Sequence, residues 1–224
     1  TRNGQIGGQV IYPLIGNDWR GDPELAKTVA TALESAHAAG HQANWSIRYG
    51  GYAVLWADKD GLALLRDELP ILKSGKKTYP LELPGHSAFH SPLMLPASER
   101  ALGQLSHLSW RAPSIPLIDG RGCRWHPLST DPEALCRYTL RTQVLEPYDF
   151  SSCVRVLLHE YAPDTFILLG PGDALGAAVA QILIANRWQG IDCKEAFIER
   201  QKNDPLVLSL AYPQHAALVT LPAT

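Results

Sequence analysis

The chain has 224 residues, 46% of them hydrophobic, with 20 basic and 22 acidic side chains and a formal net charge of −2. That length supports one sizeable core or two small ones, and no run of either sign offers an electrostatic footprint for nucleic acid or an anionic membrane. The composition points to a small-molecule or protein partner. Cys123, Cys136, Cys153 and Cys193 stand far apart, with no paired spacing suited to zinc or a redox dithiol, so they read as reduced thiols of a cytoplasmic protein. No apolar run is long enough to span a bilayer, and the opening Thr1-Arg2-Asn3-Gly4, without an initiator Met, reads as the interior of a longer sequence.

The first third alternates strand and helix. Gly8 to Ile15 is rich in β-branched residues and ends at Gly16-Asn17-Asp18, a strand followed by a turn. Asp22-Pro23-Glu24 supplies an N-cap, a proline for the first helical position and an early acid; Leu25, Val29, Leu33 and Ala36 then recur at helical spacing up to Gly40. Asn44 to Arg48 alternates polar and apolar, Tyr49-Gly50-Gly51 turns, and Tyr52 to Ala57 returns as the second arm of a hairpin. Leu62, Leu65 and Leu69 mark a short helix closed by Pro70. After the polar turn from Lys73 to Lys77, alternating Tyr79, Leu81 and Leu83 read as a last strand. The order β-α-β-β-α-β is the split pattern of a ferredoxin-like unit, placed over residues 7–84.

Beyond Met94 the pattern changes. A helix is expected from Pro96 to about Leu105, a short buried strand over Ile115 to Ile118, and a helix from Asp131-Pro132-Glu133 toward Gln143. Another helix follows Asp149, with Val154, Leu157, Leu158 and Tyr161 on one face. Thr165 to Leu169 is an apolar strand that runs through Gly170-Pro171-Gly172 into a helix bearing Leu175, Val179, Ile182 and Leu183. Strand, glycine turn and helix are the alternation of an α/β protein. The tail from Gly190 reads as irregular or short helix.

Histidine is the side chain best suited to move a proton near neutral pH, and Pro84 to Met94, PGHSAFHSPLM, places two between an expected strand and an expected helix. The motifs AFHSPLM at 88–94, Gln143-Val144-Leu145-Glu146-Pro147 and Phe166 to Gly172, in this order, resemble the malonyl-CoA:acyl carrier protein transacylases and the related acyltransferase domains of polyketide synthases. The resemblance runs from about Gly8 to Ala185. It implies an α/β fold in which a ferredoxin-like subdomain is inserted in an α/β-hydrolase-like core, so that residues 85–224 form the C-terminal part of that core, its N-terminal part lying outside this chain.

The same resemblance implies the chemistry. His90 is placed as the general base, with its second ring nitrogen donating to the main-chain carbonyl of Gln143, in the turn before Glu146-Pro147; a carbonyl can fix tautomer and ring orientation as the acid of a triad does. Phe89 is placed in the acyl pocket, where it favours malonyl over methylmalonyl, His86 near the substrate, and Arg48 within reach of a phosphate of CoA or of phosphopantetheine. An exposed strand arginine is, more simply, solvated. The Lys73, Lys76, Lys77 turn is offered to an acidic carrier protein, or is a solvated turn. No Gly-x-Ser-x-Gly nucleophile elbow occurs in the sequence. Gly85-His86-Ser87 begins like one, but Phe89 occupies the place of the second glycine, and Ser87 is not expected to act. The implied partners are therefore a CoA thioester, acyl carrier protein and an N-terminal fragment or chain supplying the serine, with no cofactor and no metal. A non-catalytic acyltransferase-like module that binds carrier protein or scaffolds a partner is the alternative.

Overall fold

Strand β1 (Gly8–Pro13) runs antiparallel to β3 (Tyr52–Ala57), which in turn pairs antiparallel with β2 (Ala43–Tyr49). Between β1 and β2 lies α1 (Pro23–Ala38), capped as its sequence requires: the Asp22 carboxylate accepts from the N–H groups of Glu24 and Leu25. Helix α2 (Lys59–Glu68) follows β3, with Asp58 accepting from Gly61 N. The computed structural model describes residues 4–74 and 77–219, so Lys76 and Thr1 to Asn3 lie outside the described residues.

The expected last strand is broken in two around Pro80, which has no N–H to give to a ladder. Before it, β4 (Leu72–Ser74) and β5 (Lys77–Tyr79) pair with each other, so Lys73 and Lys77 stand on a small hairpin rather than in a plain turn. After it, β6 (Leu81–Glu82) joins the far edge of β1. The resulting order β6-β1-β3-β2 is that of a ferredoxin-like βαββαβ unit. Alternation sends Val10, Tyr12, Ala53 and Leu55 to the helix side, where they close a core with Val29, Leu33 and Leu65. Their neighbours Gln9, Val54 and Trp56 face the other way and are also buried.

That second face is covered by the segment after Glu82. A short 3-10 turn (Pro92–Met94) leads into α3 (Leu95–Gln104). The strand expected over Ile115 to Ile118 is only β7 (Leu117–Ile118), paired with β8 (Arg124–Trp125); with Ile115 67% exposed, it is a surface hairpin and not a buried strand. From Pro132 one helical run continues as α4 (Pro132–Arg137), a wider π-type turn (Tyr138–Thr142) and α5 (Gln143–Leu145). Strand β9 (Tyr148–Asp149) then adds to the main sheet, parallel to β2.

The rest is built around α6 (Phe150–Val156), β10 (Phe166–Leu168) and α7 (Ala174–Ala185). The tail is more regular than expected: α8 (Lys194–Asn203), β11 (Val207–Ser209), parallel to β10, and α9 (Pro213–Val219). Its second core joins Val154 and Leu158 to Leu168, Val179, Leu183, Phe197 and Val207. The hairpin tip of β2 and β3 docks on α7. Gly50, at φ +59°, comes so close that a Cβ there would lie 2.7 Å from the Ala178 carbonyl oxygen, and Gly51 N donates to Gln181 Oε1.

Candidate active site

The histidine loop is stitched to the sheet edge. Ala88 N donates to Ile6 O at 2.7 Å, Ile6 N to Ser87 Oγ at 3.2 Å, and Gln5 Nε2 to His86 O at 2.7 Å. Beneath it a buried polar relay crosses the sheet face. Gln9 Nε2 donates to Ser46 Oγ (2.6 Å), Ser46 Oγ donates to Phe89 O (2.8 Å), and Gln9 Oε1 is 3.0 Å from His86 Nδ1. Gln9 is 2% exposed and Ser46 fully buried, so each needs these partners: an unpaired polar group at such depth costs about 1–3 kcal/mol. The relay fixes the carbonyl immediately before His90.

His90 itself has φ +58°, a left-handed conformation uncommon for a side chain with a Cβ and of a kind that collects at functional sites. Ser91, fully buried, holds the next turn by donating to Ala88 O at 2.5 Å. The backbone twist points the His90 imidazole at the C-terminal end of the 132–145 helical run, where Nδ1 lies 2.5 Å from Gln143 O. Since a carbonyl only accepts, Nδ1 carries the proton and Nε2 keeps its lone pair. Nε2 has no hydrogen-bond partner among the described residues. Burial pushes the imidazole below the ordinary histidine range, and the Gln143 carbonyl opposes that with a smaller upward pull.

The Gln143 carbonyl is free for a covalent reason. Within a helix it would accept from the N–H four residues on, but that residue is Pro147, which has none. One residue earlier the pattern is ordinary, with Glu146 N donating to Thr142 O at 2.9 Å. Gln143 thus sits in the last turn of a helix, not in a separate turn after it. Ser98 of α3, fully buried, donates to Leu140 O at 2.7 Å and ties the helix leaving the histidine loop to the one bearing Gln143.

His86, Phe89, His90 and Gln143 are brought together; Arg48 is not. His86 meets the Phe89 ring edge-on at 6.2 Å. The Arg48 guanidinium lies 4.3 Å over the Trp45 ring and 3.9 Å from Asp149, in a separate cavity of about 490 Å³ between the hairpin and α6 and α7. Ser87 Oγ accepts from Ile6 N. Gln9 and Ser46 escape sequence reading because buried polar residues on a strand look like solvent-facing ones. Among the described residues no three potential metal ligands converge.

The architecture is the fold found in solved malonyl transacylases. No protein-family model matches the chain, and no curated protein matches it. Solved structures do. An acyl carrier protein S-malonyltransferase from Burkholderia pseudomallei superposes with a TM-score of 0.65 at 20% identity, over 95% of this chain and 58% of that one. The malonyl-CoA:acyl carrier protein transacylase from Xanthomonas oryzae gives 0.64 at 21% identity, over 96% and 57%. A malonyl-transacylase solved in complex with its type II polyketide synthase acyl carrier protein gives 0.58 at 19% identity, over 80% and 53%. The chain spans less than two thirds of the length of each.

Proposed function

We propose that this chain carries the histidine half of an acyltransferase site that moves malonyl from CoA to the phosphopantetheine thiol of acyl carrier protein. His90 Nε2 takes the proton of a serine hydroxyl as it attacks the thioester, and the same imidazole returns it to the departing thiol; the carrier thiol then attacks the acyl-serine with His90 again as base. Gln143 holds Nδ1–H through its main chain, and Phe89 and His86 border the acyl group. The reading is carried by one observation: an imidazole whose Nδ1 lies 2.5 Å from Gln143 O and whose Nε2 has no hydrogen-bond partner among the described residues, on the fold of proteins solved as malonyl transacylases. Only in this reading is Arg48 assigned to a phosphate of CoA or of the phosphopantetheine arm.

The proposed organisation places the ferredoxin-like subdomain at residues 7–84 and the C-terminal part of a hydrolase-like core at 85–224, in a cytoplasmic protein. The serine is supplied from outside these residues, because the sequence contains no Gly-x-Ser-x-Gly. The test is reconstitution. The purified chain should transfer no malonyl to holo carrier protein, and transfer should appear when a polypeptide bearing a nucleophile elbow is added. Turnover by the chain alone would restore Ser87 to consideration, whereas carrier binding that never becomes catalytic with any elbow polypeptide would favour a non-catalytic module.

A further inference from the structure

The imidazole of His90 is gripped on two sides, and the proposed function uses only one. Five residues after Gln143, Tyr148 places its ring 5.6 Å from the His90 ring at a 45° tilt. Its backbone is locked in β9, where Tyr148 pairs with Ile47 and Asp149 with Arg48. The backbone of loop 119–122 also packs on the Tyr148 ring: a Cβ on Gly120 would come within 2.3 Å of Tyr148 Cδ2, so only glycine lets the loop lie this close to the ring.

That loop is held from every direction. The Asp119 carboxylate, 5% exposed, accepts from Arg121 N (2.9 Å), Cys123 N (3.1 Å), Trp125 Nε1 (3.1 Å) and the Arg121 guanidinium (2.6 Å). Gly120 N donates to Tyr138 Oη at 2.6 Å, Gly120 O accepts from Asp149 N at 2.7 Å, and Asp119 O accepts from Cys153 Sγ at 2.8 Å. Tyr138 belongs to the same helical run that carries Gln143. The Tyr148 hydroxyl, by contrast, has among the described residues a single hydrogen-bond partner, Cys153 Sγ at 3.9 Å. Aromatic ring and loop are fixed; the hydroxyl is barely engaged.

We infer that Tyr148, backed by Gly120, is a positioning residue: its ring forms the wall that fixes the His90 imidazole plane against the Gln143 carbonyl. The aromatic face, not the hydroxyl, carries this role, and the wall also keeps water from the imidazole. Burial is the main cause of the lowered His90 pKa, with the Gln143 carbonyl opposing it; the Tyr148 hydroxyl is itself held above its ordinary range, first by burial, and stays neutral across the histidine titration. The inference rests on the proposed role of His90, but its test reads the imidazole directly and is independent of any activity.

The experiment is NMR on the full chain, with the His90 ring signal assigned by its loss in His90→Ala. In the native protein, the imidazole should titrate below 6.5 with ring nitrogen shifts of the Nδ1–H tautomer. Tyr148→Phe should leave both unchanged. Tyr148→Ala should move the titration up toward 6.5 and mix the tautomers. Gly120→Ala, which displaces the ring without removing it, should do the same and is read in its place should Tyr148→Ala not fold. A folded Tyr148→Ala or Gly120→Ala with the native titration and tautomer overturns the inference. So does Tyr148→Phe behaving like Tyr148→Ala, since the hydroxyl would then be the active element.

Discussion

The ferredoxin-like region and the β10–β11 region solve the burial problem differently. In the first, four strands and two helices enclose Tyr12, Leu55, Leu65 and Val29 almost completely, and each helix carries its own carboxylate cap. In the second, a parallel pair of three-residue strands leaves Ile167 47% and Leu169 79% exposed, although parallel sheets are ordinarily covered on both faces. One region closes its own core; the other presents apolar surface at its strand pair. His90 hangs between two anchorages, tied by Gln9 and Ser46 to the closed sheet and by Gln143 to the helical run beyond it.

The largest effect is expected in the closed core. Leu55→Ala, at a fully buried position, should lose about 2–5 kcal/mol in urea unfolding, the usual cost of emptying a core leucine site. A loss below about 1 kcal/mol would mean that this core is not closed. Next in size, Ser46→Ala strips partners from Gln9 Nε2 and Phe89 O and should cost about 1–3 kcal/mol while loosening the His90 loop, visible as faster amide exchange at 88–91.

A smaller effect follows from pH. The His90 pKa is lowered in the fold, so between that value and the unfolded one of about 6.5 the unfolded chain binds more protons. The contribution to stability is then complete above pH 6.5 and is lost as pH falls through the folded value. His90→Ala should flatten this part of the stability profile measured between about pH 7.5 and 5; an unchanged slope would show that His90 is not held neutral. Smallest of all, Leu169→Ser should change stability by less than about 0.5 kcal/mol yet reduce self-association in sedimentation, sharpening the contrast between the two regions.

Legibility follows the same divide. Asp22-Pro23-Glu24 and the hairpin turn at Gly50-Gly51 act through neighbours in sequence, and the ferredoxin-like order could be read from them. Strand β11 could not: Val207 to Ser209 is a short buried run without alternation, whose partner Phe166 lies some forty residues away. Pro80 broke a run that alternation had joined. The contact between the His90 ring and the Gln143 carbonyl was expected from motif resemblance. Gln9 and Ser46 were not, since the histidine loop that buries them comes much later in the chain. Tyr148 was missed as well, because its place depends on β9 joining β2 across a hundred residues.

In the proposed function, His90 acts as a base while Gln143 contributes only its main chain. Single-turnover acylation of the serine, in an assembly that includes the elbow polypeptide, tests it most directly. His90→Ala should slow acylation by roughly 10² to 10⁴, and Gln143→Ala, which keeps the carbonyl that Pro147 leaves free, should stay within a few-fold of the native rate. Equal losses in two folded variants, or a native rate in His90→Ala, would contradict the account.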